Sequence, residues 1–215
     1  ILLCTDREAE MAKLVENSFR DVNIAFANEV ARISTHLGVR AERVIELANR
    51  HPRVNILSPG VGVGGHCISV DPWFLVSAAP SQSEMISQAR KSNDHQPENI
   101  SKDILAYFDK HSLKRIVLLG LAYKADSDDL RESPAIEIVK KIRAARPEIS
   151  ICVVEPNISQ AVADKLFGLV GPVETDTPDF NELDLVVELV SHSDFSNKGK
   201  NLQHFKVVPN RGYVS

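Results

Sequence analysis

The chain has 215 residues, 43% hydrophobic and 25% charged, and Lys+Arg 25 against Asp+Glu 29 leaves a formal charge of −4. That is a globular composition with room for one large unit or two small ones. An acidic balance without a basic block excludes nucleic-acid binding driven by phosphate neutralisation, and no apolar run approaches the roughly 20 residues of a membrane span.

The chain opens on the strand-like tetrad Ile1-Leu2-Leu3-Cys4 with no neighbour to pair with, which is expected of a fragment whose upstream part has been removed. Thr5 and Glu8 then fit a capping box, in which hydroxyl and carboxylate each satisfy an orphan amide at a helix start. Behind it Met11, Leu14, Val15, Phe19, Val22, Phe26, Val30 and Ile33 recur at helical spacing, and the run meets no Gly or Pro until Gly38. A helix that long suggests a spine between domains or an oligomer contact. A second helix is predicted over about 41–49.

A Gly- and Pro-rich stretch follows, Ser58-Pro59-Gly60-Val61-Gly62-Val63-Gly64-Gly65-His66-Cys67. Asp71-Pro72 reads as N-cap and first helical position, opening a helix to about 79, with another over about 83–93. The polar residues around 94–98 look like a boundary, although a helix can continue through them. From Leu113 the pattern changes to strand and helix in alternation: strands over 116–119, 149–154, 183–190 and 205–208, and helices over 134–146 and 158–167. That order implies crossovers and a parallel sheet, with any nucleotide at the carboxyl ends of the strands.

The glycine cluster ending at Cys67 is the most unusual local feature. Glycines let backbone approach a ligand closely, and a cysteine just before a helix start sits where a thiolate is favoured. The same pattern also describes a tight turn with a small buried Cys. Cys4, Cys67 and Cys152 cannot all pair and have no metal-ligand spacing, which points to a reducing, cytoplasmic compartment. Neither Gly62–Gly65 nor Gly120-Leu121-Ala122-Tyr123 matches the dinucleotide fingerprint. Lys13 and Asn17 share a helix face at i and i+4. Arg53 has no local role, Lys124 stands just past a strand end where an anion-binding group belongs, and Arg131 lies among carboxylates near a helix start. His66, His95 and His192 have no spacing that marks a metal site or a triad, so no metal is expected.

Taken together, Glu10–Asn17 (EMAKLVEN), Gly62–Cys67 with Asp71, and Gly120–Lys124 with Asp129–Pro134 resemble the UDP-sugar 6-dehydrogenases, in that family's order and over most of the chain. The stretches NSFRDVNIAFANE, NRHPRVN and CISVDPWF are most similar to the members that act on UDP-N-acetyl-D-mannosamine. The resemblance implies an α/β protein: a helical central dimerisation domain followed by a Rossmann-like parallel-sheet UDP-binding domain. Residues 1–5 would be the remnant of an NAD-binding domain, 6–98 the central domain and 99–215 the UDP-sugar-binding domain.

It also implies an NAD-dependent oxidation of a C6 alcohol to a carboxylate through a covalent thiohemiacetal and thioester. Cys67 would be the nucleophile, Lys13 the positive charge on the reacting oxygen, Asn17 a holder of oxygen or water, and Asp71 a proton acceptor. Gly62, Gly64 and Gly65 would lie against the sugar, Lys124 would contact the UDP-sugar, Arg131 would reach the NAD, and Arg53 the substrate of the dimer mate. The fragment by itself is expected to be inactive. Ser191 and Pro209 stand where relatives commonly carry Asp, which leaves Arg211 without a secure role near the nucleotide. The competing readings are a non-catalytic UDP-sugar-binding or dimerisation module, and a UDP-glucose or UDP-N-acetylglucosamine 6-dehydrogenase.

Overall fold

A computed structural model describes residues 3–195 and the backbone of 204–205. Ile1, Leu2, Pro209 and Arg211, and the expected last strand beyond Phe205, lie outside the described residues.

Helix α1 (Asp6–His36) begins at the expected capping box: the Glu8 amide donates to Thr5 Oγ1 at 3.3 Å and the Thr5 amide to the Glu8 carboxylate at 2.7 Å. It runs 31 residues, but its apolar stripe faces outward. Met11, Val15, Phe19, Phe26 and Ile33 are exposed, and the buried face is polar and small: Asn17, Ser18, Asp21, Ala25, Asn28 and Ser34. That polar face packs on α3 (Asp71–Ala78) and α4 (Glu84–Lys110), while α2 (Ala41–Ala48) lies against the same long helix. Buried side chains of both helices join across this interface by hydrogen bonds, which is how a polar face can be interior at all.

Helix α4 is one continuous helix of 27 residues with Pro97 inside it, so no break falls at the polar stretch 94–98. Gln96 is buried because Arg32 donates to its Oε1 at 2.9 Å while its own Nε2 donates to the Gly60 carbonyl at 3.1 Å. The distal half of α4 leaves the helical cluster and enters the second core through Ile104 and Phe108.

That core is built on a parallel sheet of order β3-β2-β1-β4-β5, with β1 Arg115–Leu119, β2 Ser150–Val154, β3 Val173–Glu174, β4 Asp184–Glu188 and β5 His204–Phe205. Central β1 pairs in register with β2 (Leu119 opposite Val154) and with β4 (Leu119 opposite Glu188). Alternation along the strands sends Ile116, Leu118, Val153, Leu185 and Val187 to one face, where α4, α5 (Pro134–Ala145) and α6 (Gln160–Val170) cover them. Val117, Leu119, Val154 and Val186 face the other way, against Phe180 and Phe195. Strands buried on both faces read as continuous apolar runs, and β1 and β4 do. Two-residue β3 has too little pattern to read and was not expected.

Candidate functional site

The loop between α2 and α3 is held by both halves of the chain. On the helical side the Gly60 amide donates to Asn28 Oδ1 at 2.7 Å; on the sheet side the Gly65 amide donates to the Arg131 carbonyl at 3.0 Å. A Cβ at Gly64 would stand 2.6 Å from the Glu132 carbonyl oxygen and 2.8 Å from Pro134 Cδ, and one at Gly62 2.9 Å from Pro134 Cβ. A Cβ at Gly65, whose φ is +85°, would stand 3.0 Å from the Tyr123 ring. These glycines are accounted for by the close approach of loop and sheet, without any ligand.

Cys67 emerges from this loop exposed, so the reading of a small buried cysteine does not hold. Its carbonyl accepts from the Asp71 amide at 2.8 Å and the Val70 amide at 3.0 Å, which places the residue at the start of α3. Asp71 is the first residue of α3, not a cap: its carboxylate accepts from Asn17 Nδ2 of α1 at 2.5 Å. Of the expected sites, Asn17 and Asp71, 54 positions apart, are therefore brought together by one hydrogen bond, at the start of the helix that Cys67 leads into. Lys13, one turn before Asn17, is exposed and bonded to Glu16 at 3.0 Å. Arg53 lies exposed on the 51–54 turn, its side chain in no ion pair among the described residues.

Beneath the thiol loop sits a buried network that sequence reasoning missed. Arg90 bonds the Asp21 carboxylate, donates to Asp94 at 2.9 Å, and reaches the Ile68 carbonyl, next to Cys67, at 3.5 Å. Asn93 Nδ2 donates to both the Asp21 carbonyl and its carboxylate at 2.9 Å. Burial pushes the Asp21 carboxyl up against the pull of Arg90 and Asn93, and one of its oxygens has no partner among the described residues. Arg and Asn three residues apart on a helix look like surface chemistry, and only an acid on another helix makes them interior.

Arg131 is exposed and held in a two-oxygen contact by Asp129, its Nη2 2.7 Å from Oδ2. This hydrogen-bonded contact with Asp129 raises the arginine above its ordinary value. Lys124 is exposed at the head of the loop after β1, with Nζ 5.6 Å from the Tyr123 ring centre.

At the carboxyl ends of the strands lies a second missed group. Glu155, directly after β2, is fully buried and accepts from the Leu121 and Ala122 amides at 2.7 and 2.9 Å and from the Asn157 amide at 3.0 Å. His192 donates to the same carboxylate through Nε2 at 3.1 Å. The amides that would cradle a pyrophosphate after a first strand are thus taken by an internal carboxylate, and Leu121-Ala122-Tyr123 adds no further glycine to the turn. The described residues do not fit a dinucleotide at this turn.

Residues 7–95 match the central domain of the UDP-glucose/GDP-mannose dehydrogenase family, and residues 117–213 match its UDP binding domain. The UDP-N-acetyl-D-mannosamine dehydrogenase of Escherichia coli K12 is 47% identical over 220 residues, covering 98% of this chain and 52% of the relative. The NDP-N-acetyl-D-galactosaminuronic acid dehydrogenase of Ralstonia solanacearum is 46% identical over 210 residues, 97% of this chain and 49% of the relative. Among solved structures, the UDP-N-acetyl-mannosamine dehydrogenase of Staphylococcus aureus aligns with a TM-score of 0.76 at 38% identity, over 93% of this chain and 46% of that one. The chain spans about half the length of the curated relatives it matches.

Proposed function

Because this chain belongs to the UDP-glucose/GDP-mannose dehydrogenase family, we propose that its parent protein oxidises the C6 alcohol of UDP-N-acetyl-D-mannosamine to the carboxylate with NAD, supplying cell-surface polysaccharide synthesis in the cytoplasm. The choice of sugar is supported by the 47% identity to a relative named for that substrate. The observation that carries the reading is the exposed Cys67 thiol leading into α3, whose first residue Asp71 is held by Asn17 of α1.

Each of the two oxidations removes a hydride to NAD. The dinucleotide is assigned to residues beyond this chain, with Arg131 reaching towards it. The steps that fall to this chain are the two between and after. The Cys67 sulfur adds to the C6 aldehyde carbon; a C–S bond forms, the carbonyl π pair moves to oxygen, and the thiol proton ends on that oxygen. At the thioester stage water adds to the carbonyl carbon and the C–S bond breaks, returning the thiol and releasing the carboxylic acid. Asp71 takes one proton of the water and passes it to the departing sulfur, so it ends the step ionised as it began. Asn17 fixes Asp71 with one amide hydrogen and has its second for the reacting oxygen. Lys13 supplies the positive charge that a developing oxyanion requires, exchanging Glu16 for it.

Residues 6–98 form the central unit and 99–215 the UDP-binding unit, with α4 shared between them. Lys124 meets the UDP-sugar, and Gly62, Gly64 and Gly65 hold the loop that faces it. The outward apolar stripe of α1 pairs with that of a second copy, and Arg53 of each copy reaches the other's substrate.

The parent-length protein is expected to reduce two NAD per UDP-N-acetylmannosamine, faster than with UDP-glucose or UDP-N-acetylglucosamine. Cys67→Ser is expected to form no carboxylate. Undiminished carboxylate from that variant would falsify the role of the thiol; a preference for another sugar would overturn the substrate alone.

A further inference from the structure

The loop from Leu121 to Asp126 carries Lys124 at its centre and is pinned at both ends by one buried unit. At its start the Leu121 and Ala122 amides donate to Glu155 Oε2, and the Leu121 carbonyl accepts from Ser133 Oγ at 2.6 Å. At its end the Asp126 amide donates to His192 Nδ1 at 2.9 Å, and Asp126 Oδ1 accepts from the Ser193 amide at 2.8 Å. The two pins are joined, since His192 Nε2 donates to Glu155 Oε2. Both side chains are buried, Glu155 at 0% and His192 at 2% exposure.

The tautomer follows from the partners. Nδ1 faces two donors, the Asp126 amide and Asn157 Nδ2 at 2.8 Å, so it is the acceptor, and Nε2 carries the hydrogen that Glu155 accepts. Glu155 in turn faces only donors, three amides and one ring N–H, which a carboxylate satisfies and a carboxamide cannot. Asp126 is held at φ +53°, a left-handed conformation for a residue with a Cβ. The acid–imidazole unit ties the buried start of the loop, Leu121 and Ala122, to its exposed end at Asp126. What it fixes is the path of the loop, and with it where the Lys124 ammonium can reach.

We infer that Glu155 and His192 are positioning residues for nucleotide recognition: through the main chain of 121–126 they set the Lys124 loop in the shape that receives the diphosphate of a UDP-sugar. This rests on the assignment of Lys124 to the UDP-sugar above. The internal carboxylate takes the place a phosphate has in a dinucleotide cradle. The diphosphate must then be met by the lysine, not by the first amides after β1, which suits a site for UDP-sugars and not for a dinucleotide.

The test uses UDP as the probe, titrated calorimetrically into the chain and into Glu155→Gln, His192→Phe and Lys124→Ala, with hydrogen–deuterium exchange on each. Both positioning variants are expected to bind UDP about tenfold more weakly, because a pre-organised loop becomes a mobile one. Their amides at 121, 122 and 126 should lose protection while those of β1 and β4 keep it. Lost loop protection with UDP affinity within twofold of the unaltered chain overturns the inference and leaves the site assignment standing. No UDP binding by the unaltered chain, or full binding by Lys124→Ala, overturns the site assignment and the inference with it. Asp126→Ala, exposed and remote from the core, serves where the buried variants do not fold: it breaks only the Ser193 tether. It should weaken UDP binding in the same direction, by less, and unchanged binding with a loosened 126 amide counts against the inference.

Discussion

The Asp129 carboxylate grips Arg131 through hydrogen bonds to its side chain and backbone amide, and this lowers its pKa to about 2. At neutral pH Arg131 is therefore already matched by an anion, which the phosphate of the proposed ligand would have to displace. Replacing Arg131 by Ala should return Asp129 towards the ordinary carboxyl value of 3.8, read by following its side-chain carbonyl in an NMR pH titration. A midpoint that stays near 2 would mean that the loop amides alone hold it down. Glu155 is the buried counterpart. Burial pushes its carboxyl up, and hydrogen bonds from His192, Leu121 and Asn157 outweigh that, leaving it below the ordinary 4.5. A depressed folded value makes the contribution full above the unfolded value and lost as pH falls through the folded one. Urea midpoints between about pH 6 and about pH 3 should fall with acid in the unaltered chain, and fall less steeply in Glu155→Gln. Equal slopes would show that this carboxylate is not what acid attacks. Cys67, Asn17 and Asp71 stood out as candidates because their motifs are local and ordered along the chain, and the hydrogen bond between Asn17 and Asp71 is the part of that grouping the fold displays. Glu155 and His192 were not, because each looks unremarkable until 37 residues fold back to join them.

Local signals give the ends of elements better than the direction they face. The capping box at Thr5 and the apolar runs of β1 and β4 carry their structure in adjacent residues, and they fold as read. Helix α4 hides its length because Gln96, within the polar stretch 94–98 that looks like a boundary in sequence, is a buried partner of α1 and of the thiol loop. The face of α1 inverts for the same reason: its interior side is a hydrogen-bonded seam, so hydrophobicity points away from the fold. The glycine loop was read for what its flexibility could offer a ligand, whereas its close contacts are with the sheet domain. Gly64→Ala tests that. A methyl 2.6 Å from a backbone carbonyl cannot be absorbed by a rotamer change, so the loop must lift from Glu132 and Pro134. We expect a loss of about 1–3 kcal/mol in chemical denaturation. Gly38→Ala is the control, since nothing lies within 4 Å of its Cβ and only φ +68° is strained; it should cost about 1 kcal/mol. Equal costs at the two positions would deny that Gly64 is a steric joint.

In the molecule as a whole, the side of α1 that its own fold leaves open is the largest unanswered feature. Phe19 is 66% exposed, and Met11, Val15, Phe26, Ile33 and Leu37 continue the same side over the length of the helix. Isolated exposed apolar side chains are ordinary, but a contiguous row of them marks an interface. A second copy fits because a long straight stripe is complementary to itself under two-fold symmetry. The proposed dimer would also give Arg53 a purpose, since it is an exposed arginine with no ion pair among the described residues. The unaltered chain should therefore scatter with a mass of twice 23.7 kDa. Phe19→Glu with Phe26→Glu should scatter as one copy with its helix content kept, since neither ring is part of the chain's own core. The substitutions place four like charges where two stripes meet, so the effect should relax as salt is raised. Loss of helix content in the double variant would mean that α1 depends on those rings for its own fold. A single-copy mass for the unaltered chain would remove both the dimer and the route by which Arg53 could reach a second site.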